Sequence, residues 1–453
     1  MRVEIDQDLA QQLNDKAEAL LAALAVEPEK RDDSDLVGTF RPQYLMSAVN
    51  LTGKEVPIAP VNSAIGIAGN EVARFFPDLN PPIGLSGKSH DEYIELCQTL
   101  QWSEPLRSRV STTFLVEAVF EWIRLRYQDK TSKPMAEYVA GRCESEIAEL
   151  EILVPIAGTE VETEIDMGKV VLKPVEQSRW QRWITEWHAR RPEGVEAIQR
   201  FLSDIGTEHV SVAAIKVTAE PIRAVELALE ETEDALSVLR YFSFANLHPQ
   251  MSIYTAVSGK EHVERPRHMI LRNGLLISAG KTELNMRSRH PWRIDASLLT
   301  LMRGKGFDTL VRLLGREEDQ RTKLQSSLLR AINIYSKSSL SQDLNDKLLY
   351  VITALEYILL KDSSESLQKH IGERMALLIG RSLEARIEII KDYKRAYALR
   401  SAAVHHGEVL RDAEGLANFM RDAWHTLNKL ISESDRFSTK AELIESIDDL
   451  KFS

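Results

Sequence analysis

Tyr393-Lys-Arg-Ala-Tyr-Ala-Leu-Arg-Ser-Ala-Ala-Val-His-His-Gly407 is the stretch that says most about how this chain folds. Its two tyrosines, its arginine and its valine recur at steps of four, three and four, which is typical of one face of an α-helix. Glycine commonly follows the last residue of a helix, so Gly407 predicts that the two histidines lie in or near the last turn.

Helical periodicity extends on both sides of this stretch, and separators that contain Ser, Gly or Asp divide it into segments. We therefore predict that residues 291–453 form an all-α bundle. The predicted helices lie near 294–303, 306–315, 320–337, 341–361, 366–380, 384–403 and 414–433.

The preceding residues, 146–290, have a different pattern and are predicted to form a mixed α/β domain. Alternating apolar residues predict strands, Asn273-Gly274 predicts a hairpin, and Pro221 begins a long apolar helix. The predicted strands are 151–158, 169–173, 209–216 and 251–257, and the predicted helix is 221–244.

Residues 1–145 are predicted to be mostly helical, with helices over 7–26 and 114–126. Between residues 31 and 90 any regular pattern is interrupted by Pro57, Pro60, Pro77, Pro81 and Pro82, so we expect a loop-rich connection there. The fold class that follows for the whole chain is α+β, mainly α.

Composition limits the classes of protein to which this chain can belong. Its 453 residues are 43% hydrophobic and 28% charged, which is typical of a globular protein with real cores. The 57 Lys and Arg residues against 68 Asp and Glu residues give a net charge of −11. A protein of this charge binds a polyanion only through a local basic region.

Targeting signals and cysteine pairs indicate the compartment. The first residues carry acids where a signal peptide needs an apolar stretch, and the longest apolar runs are too short to cross a membrane. Cys97 and Cys143 lie far apart and form no metal-binding motif, which fits a reducing environment. We therefore expect a cytoplasmic protein without membrane contact.

Arg400 and His405 are the residues in the opening stretch with the most evident chemistry. A histidine can move the proton of a ribose 2′-OH or of a leaving 5′-oxygen, and an arginine fork can hold the phosphate between them. Such RNA cleavage needs no metal or cofactor. The alternative is that both residues only complement the negative end of the helix dipole.

The two side chains do not converge on an ideal helix. They point about 140° apart at about 100° per residue. They can therefore act together only if the helix ends between them or if a second subunit supplies one of the two.

Three motifs in the C-terminal region resemble the HEPN superfamily, and its Apea-like branch in particular. Arg400 and His405 match the family's R-x4-6-H motif within Tyr397-x-x-Arg-Ser-x-x-Val-His405. Ala354-Leu-Glu356 and Glu373-Arg374-Met-Ala-Leu-Leu precede that motif in the family's order. The resemblance covers residues 320–435.

This resemblance implies a helical bundle that forms a homodimer and cleaves RNA without metal, leaving 2′,3′-cyclic phosphate and 5′-OH ends. It implies that Arg400 binds the phosphate, that His405 is the acid or base, and that Glu356 orients Arg400. The alternative for Glu356 is a buried ion pair with Arg374. Ser401 stands where many members have Asn, Asp or His, and its hydroxyl can still donate a hydrogen bond.

Basic residues near the motif are candidates for binding the substrate RNA. Lys394 and Arg395 precede the motif, and His406 duplicates its histidine. Arg287 and Arg289 belong to a basic stretch over 262–293 that either docks RNA or forms a solvated hairpin face.

The resemblance implies a role in phage defence or in a toxin system, with an antitoxin or a phage-derived trigger as a further partner. A non-catalytic HEPN scaffold that dimerises and binds nucleic acid or a protein is the alternative function.

Overall fold

The structure is a computed structural model, and it describes residues 3–27, 36–40, 62–66, 68–104, 106–175, 177–190, 199, 211–259, 267–272, 275–281, 292–361, 365 and 367–451. Helices predominate, with sheets in the first two-thirds of the chain and helices alone after residue 295. The predicted fold class, α+β and mainly α, is confirmed. In the part of the chain that is described, no helix is both long and apolar enough to cross a membrane.

The chain forms two compact units. The first comprises residues 1–152 and 216–227, and the second comprises residues 153–215 and 228–453. The division into three regions at residues 145 and 290 stays a prediction.

The first unit combines four helices with an antiparallel sheet of five strands in the order β1-β5-β4-β3-β2. Its elements are α1 (Gln7–Ala22), β1 (Ala25–Val26), β2 (Leu36–Phe40), β3 (Asn62–Gly66), β4 (Glu71–Phe76), β5 (Ile83–Ser86), α2 (Lys88–Trp102), α3 (Thr112–Tyr127) and α4 (Met135–Glu146).

The sheet corrects the expectation of a loop-rich connection between residues 31 and 90. Pro77, Pro81 and Pro82 all lie in the connection between β4 and β5, and none lies within either strand. A proline disrupts a strand only where it removes a backbone donor from the ladder. Short strands therefore fit between the prolines, although their few residues give a weak alternating pattern.

A buried polar network joins the sheet of the first unit to its helices. Arg74 on β4 donates to both carboxylate oxygens of Glu71 and, over 2.7 Å, to Glu117 on α3. The Nε2 atom of His90, in the first turn of α2, lies 3.1 Å from Glu71, and Ser63 also donates to that carboxylate. Burial raises the pKa of Glu71, but the bonds from His90 and Arg74 outweigh it and bring the pKa to about 2.

The rest of the sheets lie mostly in the second unit, although β6 (Ala148–Ala157), β10 (Ser211–Ala219) and α6 (Pro221–Tyr241) each have residues in both units. The larger sheet has the order β11-β6-β10-β9-β8, β14 pairs in parallel with β7, and β12 and β13 form the predicted hairpin. The elements are β6 (Ala148–Ala157), β7 (Thr159–Val161), β8 (Ile165–Asp166), β9 (Val171–Pro174), α5 (Gln177–Arg190), β10 (Ser211–Ala219), α6 (Pro221–Tyr241), β11 (Ala256–Val257), β12 (Arg267–Arg272), β13 (Leu275–Lys281) and β14 (Trp292–Ile294).

The strands and the helix that were predicted for this region are confirmed, with one exception. Only Ala256 and Val257 of the strand predicted over 251–257 are in a sheet. Ile253 instead donates its N–H to the carbonyl of Ser339 outside any ladder, over 2.9 Å. A contact with a distant helix therefore decides the conformation of this apolar segment.

The C-terminal residues form helices as predicted, and α10 to α14 pack against one another. The helices are α7 (Ala296–Arg303), α8 (Phe307–Leu314), α9 (Lys323–Ser336), α10 (Leu344–Leu359), α11 (Leu367–Ile379), α12 (Leu383–His406), α13 (Ala413–Ser432) and α14 (Lys440–Asp449).

We predict that Glu71→Gln lowers the free energy of unfolding of the first unit by about 2–3 kcal/mol at neutral pH, because it leaves Arg74 without its buried carboxylate. The stability from the Glu71 charge is present above the ordinary pKa of 4.5 and is lost as pH falls through about 2. Chemical denaturation between pH 7 and pH 2 should therefore show a smaller acid-dependent loss in the variant. Glu92→Gln, which removes an exposed partner of Lys88, is the matched control. Equal stability of both variants would contradict the prediction.

Candidate active site on helix α12

Helix α12 carries the predicted motif and ends where the sequence indicates. Ser382 caps its first turn by accepting from the N–H of Ala385. Gly407 follows the last helical residue with φ 66° and ψ 23°, and its N–H donates to the carbonyl of Ala403 over 3.1 Å. Glycine adopts this left-handed conformation without steric cost, so the prediction that it follows the helix is confirmed.

Because α12 continues without a break to His406, Arg400 and His405 lie on different faces of the same helix. Their side chains point about 140° apart at about 100° per residue. Arg400 is half-buried and faces the interior of the bundle, whereas His405 is exposed. The structure therefore does not bring the two together within one chain, and only a second subunit leaves room for joint action.

The buried side of α12 brings three predicted or motif-linked polar groups into one place. The charge of Arg400 acts on the carboxyl of Glu356 on α10, and the charges of both act on the phenol of Tyr393, two turns before Arg400. The guanidinium of Arg400 also lies over the ring of Tyr397, 5.8 Å from its centroid. Residues from two helices thus converge around the arginine.

Each member of this group has a buried polar atom without a hydrogen-bond partner in the part of the chain that the structure describes. These atoms are Oε1 of Glu356, Nε of Arg400 and the hydroxyl oxygen of Tyr393. Buried polar atoms are nearly always paired in folded proteins, and an unpaired one costs about 1–3 kcal/mol. Three unpaired atoms in one place are the kind of arrangement in which a ligand or an ordered water completes the bonds.

Burial raises the pKa of the Glu356 carboxyl, and the positive charge of Arg400 opposes that rise. Burial also raises the pKa of the Tyr393 phenol, with the charge of Glu356 acting in the same direction. Tyr393 is therefore a neutral hydrogen-bonding group at any physiological pH, whereas the ionisation of Glu356 depends on Arg400.

The alternative of a buried ion pair between Glu356 and Arg374 does not describe the structure. Arg374 is 1% exposed, and its guanidinium donates to both carboxylate oxygens of Glu365, to both of Asp448 and to the carbonyl of Leu359, over 2.7–3.1 Å. All of its donors are engaged by these groups. Arg374 consequently joins α11 to α14 rather than to Glu356.

The other predicted site residues are not part of the group formed by Arg400, Glu356 and Tyr393. Ser401 is half-buried, and Lys394 and His406 are exposed. Arg395 forms an ion pair with Asp412, the N-cap of α13, over 2.6 Å, so this arginine is occupied in the free protein. Arg287 and Arg289 lie outside the described residues.

Two residues on α12 and α10 were not predicted as functional candidates from the sequence. Tyr393 was placed on the correct helical face, but its burial beside Glu356 had no sequence signal. Asn345 on α10 holds the segment after α12, since it donates to the carbonyl of Glu408 and accepts from the N–H of Leu410. Nothing in the sequence marks an asparagine that bonds to a segment more than sixty residues away.

Metal ligands do not cluster at this site. In the described ranges, His, Cys, Asp and Glu side chains form no group of three or more that could hold a metal ion.

We predict that Arg400→Ala raises the pKa of Glu356 further, because it removes the one charge that opposes the effect of burial. A carboxyl whose folded pKa is raised loses stability as pH rises through that pKa. Arg400→Ala should therefore lose more stability than the unaltered protein between pH 4 and pH 8, measured by urea denaturation. Adding Glu356→Gln to that variant should abolish the extra loss. Parallel pH profiles for the single and double variants would contradict the coupling.

No protein-family model, no curated protein and no solved structure matches this chain.

Proposed function

We propose that this protein is a metal-independent endoribonuclease of the HEPN type that acts as a homodimer. The observation that supports the proposal most is the half-buried Arg400, with an unpaired Nε beside Glu356, one turn before an exposed histidine at the helix end. The group has the residue types that metal-free RNA cleavage needs. Phage defence or a toxin system is the proposed setting, in the cytoplasm and under an antitoxin or a phage-derived trigger.

In the proposed reaction the 2′-oxygen of a ribose attacks the adjacent phosphorus while the bond from phosphorus to the 5′-oxygen breaks. His405 takes the 2′-OH proton and the leaving 5′-oxygen takes a proton from water, so the products are a 2′,3′-cyclic phosphate and a 5′-OH. Arg400 stabilises the charge on the phosphate oxygens. Glu356 and Tyr393 act through Arg400 as positioning residues.

The angle between Arg400 and His405 requires that each site combine residues of two copies. Exposed apolar side chains lie on either side of the histidines and suit such a contact, since Val404 is 58% exposed and Val409 is 71% exposed. Exposed apolar side chains at a contact between copies would gain free energy from burial. The C-terminal end of α12 is therefore the part proposed to face the partner.

We expect the purified protein to cleave total cellular RNA in excess EDTA, with cyclic phosphate ends. His405→Ala and Arg400→Ala should each lower the rate about 100-fold or more, the scale of acid–base and phosphate contributions. His248→Ala, which removes another exposed histidine of the same unit, should leave the rate unchanged. Wild-type rates in either motif variant, at preserved circular dichroism, would refute the assignment.

A mixture of the two inactive variants tests whether the site is shared between copies. If Arg400 of one copy acts with His405 of the other, a dimer of one Arg400→Ala and one His405→Ala chain retains one intact site. Random mixing should then restore about a quarter of the wild-type rate, because half of the dimers are mixed and each has one of two sites. No recovery after co-refolding would indicate that each chain supplies its own pair.

A non-catalytic scaffold is the second candidate function. It is favoured by the separation of Arg400 and His405 within one chain, since a protein that only dimerises and binds needs no convergence of the two. A scaffold should bind RNA or a protein partner, should release no cleavage product, and should be unaffected by His405→Ala.

A further inference from the structure

Four exposed cationic or imidazole side chains from three parts of the second unit form what we call the distal basic patch. Its members are Lys305, Arg381, Arg421 and His425. Lys305 lies in the turn between α7 and α8, Arg381 precedes α12, and the other two lie on α13.

Backbone packing brings these elements together. Gly306, next to Lys305, lies so close to α13 that a Cβ atom there would come within 2.8 Å of Ile431 Cγ2. Helix α11, which leads to Arg381, packs against both α12 and α13. Arg386 adds a further positive charge at the same turn, because its Nε donates to the carbonyl of Gly380 over 3.2 Å.

The charges that act on His425 also indicate that the side chains of the patch lie close together. Partial burial lowers the pKa of its imidazole, and the positive charges of Lys305, Arg421 and Arg381 lower it further. Three cations from three elements therefore act on one side chain.

Lys305, Arg381 and Arg421 form no ion pair with a carboxylate among the described residues, although the charge of Arg421 acts on the adjacent Asp422 carboxyl. Arg421 donates to the amide oxygen of Asn418, whereas Lys429 and Arg436 farther along both pair with Glu433. Cations that converge without forming ion pairs repel one another. An anionic ligand would remove that repulsion.

The distance between the patch and the motif can be estimated from the rise of α12. The rings of Tyr393 on α12 and Phe419 on α13 lie 6.0 Å apart between centroids, and α13 runs back along α12, so Arg421 lies near the level of Asp392. From there to His405 the helix rises about 20 Å, and from Arg381 to His405 it rises about 36 Å. One stacked strand has a phosphate every ~3.4 Å, so this span corresponds to about six to ten phosphates.

Two lysines on α12 share the exposed face of His405. Lys394 lies 11 residues before His405, which leaves only about 20° between them at about 100° per residue. Lys391 lies about 40° to the other side of the same line. Both lysines are exposed, and Lys391 pairs with Glu388 over 3.5 Å.

We propose that the distal basic patch binds the backbone of a single-stranded RNA substrate about six to ten phosphates from the bond that is cut. This inference rests on the proposed function, and it adds a requirement for substrate length. RNA that cannot reach the patch is bound through the motif alone.

The test uses the full-length protein with His405→Ala, which keeps the RNA intact, and measures binding of labelled single-stranded RNA of 20 and of 4 nucleotides. Adding Arg381→Gln and Arg421→Gln should weaken binding of the 20-mer about 10-fold at moderate salt and lower the salt slope by about 1.4, the loss of two phosphate contacts. Binding of the 4-mer should not change. Lys429→Gln with Arg436→Gln is the matched control, because it removes two exposed positive charges that are already paired with Glu433.

Unchanged binding of the 20-mer by the patch variant, or an equal loss for both RNAs, would overturn the inference. Cleavage of the 20-mer by the protein with His405 intact is measured in parallel. This second measurement tests the proposed function independently of the patch. Cleavage with unchanged 20-mer binding by the patch variant refutes the patch alone. Length-dependent binding without cleavage supports the patch and favours the scaffold.

Discussion

The backbone hydrogen bond from Gly407 to Ala403 ends helix α12 only after both histidines. Had the helix ended between Arg400 and His405, the second side chain could have turned back toward the first. The continuous helix instead directs the arginine inward and the histidine outward. Every functional proposal for this bundle has to accommodate that separation, and it is the reason that a second copy enters the mechanism.

Two arginines in the bundle, one buried and one half-buried, differ in how completely they are paired. Arg374 has all its donors engaged by two carboxylates and a carbonyl, which is how a buried charge is retained for stability. Arg400 has an unpaired Nε, and the nearby Glu356 has an unpaired oxygen. Incomplete pairing costs stability, and such a cost is typical of groups that complete their bonds in a complex.

Sequence periodicity predicted the helices of the C-terminal bundle well because each buries one apolar face, and Gly407 marked the end of α12. The short strands between residues 36 and 86 were missed because five residues give too little alternation beside so many prolines. The partners of Arg374 were also beyond prediction, because Asp448 lies 74 residues away on another helix. The local sequence pattern therefore predicts the helices and their apolar faces. Which charged side chains form pairs depends on packing between residues that are distant in sequence.

The net charge of −11 and a polyanionic substrate are compatible because screening makes electrostatics local. At physiological ionic strength the potential of an exposed charge decays over about 8 Å, so distant acids contribute little to a phosphate at a given point. What matters is the charge within that radius, and around His425 the neighbouring charges that act most are positive. In the proposed complex, the distal basic patch attracts the strand while acidic surface repels it, so the place of the cut along the strand follows from the distance between the patch and the motif.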